Sequence, residues 1–250
     1  MRLKGKVAVV TGGSRDIGRE ISVKLAGEGA RVVINYLNSE ADAEQTQRMI
    51  AEAGGACIIV KGDMTKWEDA QALIQSALKE YGAGIDILVN VAGGLFGRKP
   101  IEDQDAAWFD LVMDVNVKSV FLATKAAVTH MPSGSSIINF SSQAARDGGG
   151  GGASLYATAK GAVMTYTRAM AKEFGPRGIR VNAVAPGMIA TSFHDRFTKP
   201  EIRTAVANST PLRKQGEAGE VADLVVYLAS EESSFITGAN IDINGGTYFS

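Results

Sequence analysis

Apolar residues along this chain fall into two alternating rhythms. Short β-branched runs recur at Val7–Val10, Val32–Ile34, Cys57–Val60, Ile85–Val89, Ile137–Phe140, Arg180–Val184 and Ile241–Ile243, and these predict strands. Between them the apolar positions return at helical spacing, as in Ile17, Ile21 and Leu25 or Ala70, Leu73, Ile74, Ala77 and Leu78, which predicts helices with one buried face. Nearly unbroken apolar strands separated by helices predict an α/β protein. Its parallel sheet of about seven strands should carry helices on both faces, the doubly wound arrangement. Ligands of such sheets bind beyond the carboxyl ends of the strands, so the residues just after each strand hold the functional information.

Two segments interrupt the alternation. Gly148–Gly152 is an unbroken glycine run that cannot pack a core, which predicts a mobile surface loop. Residues 187–212 contain Phe193, His194, Phe197, Pro200 and Pro211 and predict an insertion with short helical pieces, a lid over the site.

Composition narrows the classes. With 250 residues and 45% hydrophobic content, the chain can bury one large core, so a single domain spanning 1–250 is expected. A net charge of -1 with scattered Lys and Arg provides no basic stripe, which argues against a nucleic-acid partner. The run Val7–Val10 is too short for a signal h-region, and nothing approaches the roughly 20 apolar residues of a membrane span, so a cytoplasmic protein without a membrane partner is expected. The single cysteine, Cys57, lies beside Ile58, Ile59 and Val60 and predicts a buried, unreactive thiol. His194 has no Cys or His cluster around it, and no metal site is expected.

The candidate chemistry follows the strands. After the first comes Thr11-Gly12-Gly13-Ser14-Arg15-Asp16-Ile17-Gly18, then a helix. Glycines let the backbone approach a pyrophosphate, and the helix start offers free N–H groups and a positive dipole end. Strand, glycine turn and helix together predict a Rossmann-type dinucleotide site, with Gly12, Ser14, Arg15, Asp16, Ile17 and Gly18 against the cofactor. At the end of the second strand an acidic residue would bind the adenosine ribose of NAD, whereas this chain has Asn35. With Arg15 nearby and Asn38 and Ser39 beyond, a 2'-phosphate would be accommodated, so NADP(H) is favoured and NAD(H) remains possible. Asp63, after the third strand, is expected either to bond the adenine amino group or to cap the next helix. In Tyr156-Ala157-Thr158-Ala159-Lys160 the phenol and the ammonium share one helix face. A cation there would lower the tyrosine's pKa. Ser141-Ser142 closes the fifth strand just upstream, where a hydroxyl would hold a carbonyl oxygen.

Together these residues resemble the short-chain dehydrogenase/reductase family from Lys6 to about Gly246. The features that carry the resemblance are the turn Thr11 to Gly18, Asn90-Val91-Ala92-Gly93, Asn116, Ser142, Tyr156-x-x-x-Lys160, Pro186-Gly187, Ile236-Thr237-Gly238 and Gly245-Gly246. The resemblance implies that Tyr156 is the general acid and base, that Lys160 lowers its pKa and binds the nicotinamide ribose, and that Ser142 polarises the carbonyl. It also implies that Asn116 holds a relay water. Asn90, Ala92 and Gly93 would wall the cofactor, with Pro186, Gly187, Ile189 and Thr191 on the far side.

Three departures stand out. Asp16 replaces the motif's second glycine and is expected to cap the helix harmlessly. Val91 replaces an asparagine. The gap between Ser142 and Tyr156 is one residue longer than the family's usual spacing, which the glycine run absorbs. Expected substrate contacts are Phe96, Ser142, Gln143, Tyr156 and Phe193, around a small carbonyl or secondary alcohol. A β-ketoacyl-acyl carrier protein reductase is the alternative, although Thr129–Gly134 carries no Lys or Arg for carrier docking, and only Lys172 and Arg177 on the helix after Tyr156 partly compensate. A non-catalytic dinucleotide sensor or scaffold is the alternative of another class. The resemblance further implies a homotetramer.

Overall fold

The computed structural model describes residues 1–82, 84–192, 197 and 200–249. The β-branched runs become β1 (Val7–Thr11), β2 (Arg31–Tyr36), β3 (Ala56–Lys61), β4 (Ile87–Asn90), β5 (Ser136–Phe140) and β6 (Arg180–Pro186). With the carboxyl-terminal strand Asn240–Ile243 they form one sheet of parallel strands, ordered β3, β2, β1, β4, β5, β6 and that last strand. The fourth strand starts two residues later than the apolar run suggests. Asp86 interrupts that run, its carboxylate accepting from the Val7 N–H at 2.8 Å and from Lys6 Nζ at 3.1 Å.

Helices cover both faces. On one side α1 (Asp16–Gly27) and the late helix Ala218–Ala229 bury Ile21, Leu25, Val221 and Val225 against β1, β2 and β5. On the other, α3 (Trp67–Tyr81), α5 (Ser119–Val128) and α7 (Ser154–Phe174) bury Leu73, Ile74, Ala127 and Phe174. α2 (Glu40–Glu52), α4 (Ala106–Met113) and the single turn α6 (Ala144–Asp147) complete the layers around the sheet. Each large side chain so buried stabilises the fold by about 2 kcal/mol. Cys57 lies on the edge strand β3 and is half-buried rather than buried, and burial still pushes its thiol up to about 11.

Residues beyond β6 form β7 (Ile189–Ala190), which pairs in parallel with β8 (Gly216–Glu217), and α8 (Pro200–Ser209) lies between them. The helix Ala218–Ala229 is α9 and the last strand of the large sheet is β9. This small ladder joins the start of the expected lid to the residues just before α9. Phe193 and His194 lie outside the described residues. Among the described residues no helix is long and apolar enough to cross a membrane. The strand order reverses direction between β1 and β4, and a crevice opens there at the carboxyl ends.

Candidate active site

β1 ends at Thr11, whose Oγ1 accepts from the Ala92 N–H at 3.2 Å and so joins the two strands that flank the crevice. The glycine turn follows. A Cβ at Gly18 would drive into the Gly12 carbonyl, so only glycine lets α1 pack down onto the turn. Arg15 stands at the N-cap without a side-chain cap bond, and Gly12, Ser14, Arg15, Asp16, Ile17 and Gly18 all line a cleft of about 720 Å³. Orphan N–H groups at a helix start, facing a cleft of cofactor size, fit a pyrophosphate.

At the adenosine end Asn35 lines the cleft, with its amide committed to the fold. Its side chain is 2% exposed, its Oδ1 accepts from the Gly12 N–H at 3.2 Å, and its Nδ2 donates to the Gly62 carbonyl at 2.9 Å. The amide braces the glycine turn against the end of β3. Tyr36, Leu37, Asn38 and Ser39 line this end of the cleft with it, and none of them is acidic. Asp63 also lines it, but its Oδ1 accepts from the Thr65 N–H and hydroxyl at 3.0 and 2.7 Å. Burial works to raise that carboxyl, yet the Thr65 bonds hold it below the usual range. Asn90 is corrected. It points into the core rather than at the cleft, donating to Asn139 Oδ1 at 2.9 Å, while Val91, Ala92 and Gly93 form the wall.

Asp16 does not cap its own helix. Its backbone is left-handed at φ 50, a conformation an aspartate tolerates better than most residues. The carboxylate turns away to accept from the Ser192 N–H at 2.9 Å and the Ser192 hydroxyl at 2.6 Å, with Arg15 Nε at 3.9 Å. The substitution for glycine therefore ties the pyrophosphate turn to the segment just beyond β7. Pro186, Gly187, Ile189 and Thr191 line the same side of the cleft.

Tyr156 and Lys160 lie in the first turns of α7, and β5 delivers the serines. The Tyr156 and Ser142 hydroxyls are hydrogen-bonded to each other, and Ser142 Oγ also accepts from the Ala144 N–H at 3.2 Å. Ser141 is committed elsewhere, donating to the Lys160 carbonyl at 3.1 Å. Lys160 is 4% exposed; its Nζ donates to the Phe140 carbonyl at 2.8 Å and sits 5.8 Å from the Tyr156 ring centre. Burial lowers its pKa to about 8. The expected depression of the Tyr156 pKa by this cation is absent: burial raises the phenol, and the bond to Ser142 offsets only part of that.

Asn116 is fully buried in a π-helical turn, Asp114–Lys118, between α4 and α5. Its Nδ2 donates to the Val112 and Gly94 carbonyls, both at 2.9 Å, and its Oδ1 accepts from the Gly94 N–H at 3.0 Å. Two of these three bonds hold the Gly94 backbone and the third returns to the helix. The side chain positions the Gly94 backbone, and the widened turn is what releases Val112's carbonyl to it.

Beyond Tyr156 the cleft is walled by Leu95, Phe96, Arg98, Gln143, Ala144 and the glycine loop. Phe96 is 40% exposed with a left-handed φ of 63, and Gln143 Nε2 donates to Asp147 Oδ2 at 2.8 Å. Phe193 falls outside the described residues. The glycine loop is on the surface as expected, but it is pinned. The Gly149 N–H donates to Asp147 Oδ1 at 2.8 Å and the Lys99 N–H to the Gly152 carbonyl at 3.0 Å. Sequence reasoning missed Arg98 and Ser192, whose partners lie 53 and 176 residues away, distances at which no local pattern carries a signal.

A nucleotide-sized cleft at the switch point of a parallel sheet, with a buried Ser-Tyr-Lys group at one end, defines a dinucleotide-dependent oxidoreductase. Comparison with known proteins agrees. A family model described as Enoyl-(Acyl carrier protein) reductase matches residues 12–248. The uncharacterized oxidoreductase YhxC of Bacillus subtilis is 38% identical over 248 residues, covering 98% of this chain and 86% of that protein. A short chain dehydrogenase from Burkholderia cenocepacia in complex with NADP has a TM-score of 0.92 at 34% identity, over 98% of this chain and 99% of that one. An NADH-dependent reductase responsible for alginate metabolism has a TM-score of 0.90 at 37% identity, over 99% of both chains. The chain belongs to the short-chain dehydrogenase/reductase family and is an NAD(P)-dependent oxidoreductase.

Proposed function

We propose that this protein is a cytoplasmic, NADP(H)-dependent enzyme that interconverts a small carbonyl compound and its secondary alcohol. The observation that carries the reading is the Tyr156 phenol, hydrogen-bonded to Ser142 beside buried Lys160 at the end of the dinucleotide cleft. The nicotinamide, when bound, supplies or accepts the hydride. Tyr156 donates its proton to the carbonyl oxygen in reduction and takes it back in oxidation, while Ser142 donates a hydrogen bond to the same oxygen. A raised phenol keeps its proton near neutrality and is thus loaded for reduction. The absence of an acidic side chain at residues 36–39, with Arg15 exposed at the same end, supports NADP(H) over NAD(H). Asn116 and Asn35 act through the turns they brace.

Reduction of a carrier-bound acyl group is the second reading, favoured by the description of the matching family model. Against it, Arg177 is turned to the Val128 carbonyl at 2.6 Å, and residues 129–134 contain no Lys or Arg. A panel of ketones, sugars, steroids and acyl thioesters assayed with NADPH and NADH decides between the two. Tyr156→Phe should lower kcat by roughly a hundredfold or more while NADPH still binds. Full activity in that variant would sink the mechanism.

A further inference from the structure

The glycine run is not explained by the proton-transfer group, yet it forms part of the cleft wall. Gly149 and Gly150 line the cleft together with Arg98, Asp147 and Ala153. Arg98, on the segment after β4, lies directly against the run. Its Nη1 donates to the Gly151 carbonyl at 3.1 Å, and the next residue's N–H donates to the Gly152 carbonyl at 3.0 Å. Gly152 has φ +74, and a Cβ on it would meet the Lys99 nitrogen at 2.9 Å and the Arg98 Cβ at 3.0 Å. At Gly150 and Gly152 only glycine leaves room for the Arg98-Lys99 segment, since a Cβ at Gly150 would also meet Arg98 Nη1 at 3.0 Å. The loop is therefore a seat that sets where the guanidinium stands.

The charge on that seat is not neutralised. Asp147 is the acid on the same wall, but the Gln143 amide and the Gly149 N–H, both at 2.8 Å, already occupy its two oxygens. No ion pair forms between it and Arg98 among the described residues. One Arg98 donor is used on Gly151, and the exposed side chain lines the cleft. A fixed planar guanidinium with free donors recognises carboxylate and phosphate oxygens in pairs.

We propose that Arg98, seated on the Gly150–Gly152 loop, selects carbonyl substrates that carry an anionic group, a carboxylate or a phosphate, at the end remote from the reacting carbon. This rests on the carbonyl reductase reading above and deepens it by naming the substrate class. Both walls contribute: the glycine loop places the cation, and the apolar stretch with Leu95 and Phe96 takes the carbon chain between the charge and Tyr156.

Matched pairs of acid and methyl ester test it: levulinate, 6-oxoheptanoate and para-acetylbenzoate against their esters, assayed with NADPH at low ionic strength. The wild type is expected to prefer the acids by roughly tenfold or more in kcat/KM, mainly through KM. That preference should fall with added salt. Arg98→Met should bring each acid-to-ester ratio close to one, and Arg98→Lys should restore part of it, with melting temperatures confirming that both variants fold. Wild-type turnover with equal or better rates on the esters, or an unchanged ratio in Arg98→Met, would overturn the inference and leave the oxidoreductase reading standing. NADPH oxidation with neither acids nor esters nor any other carbonyl would remove both.

Discussion

At the scale of single residues, two buried groups set the proton chemistry through opposite effects of the same desolvation. Lys160 loses stability as a cation and its pKa drops to about 8, while Tyr156 is held above its ordinary value as a neutral phenol. The reductive reaction uses both protonated forms, so kcat/KM for reduction should decline on the alkaline side as Lys160 deprotonates near pH 8. A pH profile of Lys160→Met that keeps the same alkaline limb would assign that limb to another group. The stability sign is fixed by the same shift. Between about 8 and the ordinary lysine value of 10.5 the unfolded chain binds the proton that the native state gives up, so this residue adds stability as pH rises through that window. Much at this scale was legible in the sequence: the spacing of Tyr156 and Lys160 on one helix face and the closeness of Ser142. The roles of Asn35, Asn90 and Asn116 were not. A carboxamide's partners are backbone groups of other elements, and Gly62, Gly94 and Asn139 come within reach only in the folded sheet.

At the scale of elements, the pair Asp16 and Ser192 joins α1 to the start of the insertion. Both partners of the carboxylate are donors from one residue, an arrangement with charge-assisted strength. We expect Asp16→Gly and Ser192→Ala each to speed NADPH release by roughly tenfold, and the double variant to add little to either, as residues of one contact do. Stopped-flow displacement of NADPH measures this. Tighter cofactor binding in Asp16→Gly would instead mean that repulsion between the carboxylate and the pyrophosphate outweighs the tie. α6 is held in the same cross-chain manner, Arg146 Nη2 reaching the Asn240 carbonyl at 3.0 Å and Asp242 at 3.3 Å, so that the turn after Ser142 leans on β9.

At the scale of the whole molecule, α4 and α5 expose Phe109, Leu111 and Phe121, and the tail exposes Phe249. Separated apolar side chains are ordinary, but three on one helical stretch call for a cover. We propose the homotetramer, assembled through these helices. Light scattering should then give four times 26.3 kDa, and Phe121→Glu should shift the mass downward. A monomer mass for the wild type would refute it. The sequence by itself determined the sheet, since an unbroken run such as Val7–Val10 is stable only with helices on both faces, and it determined the order of the site's motifs along the chain. Only the tertiary structure decided that Asp16 ties rather than caps, that the glycine run is a seat for Arg98, and that burial raises the phenol. Local periodicity encodes which face of an element is dry, whereas hydrogen bonds and desolvation depend on groups brought together from positions far apart in the chain.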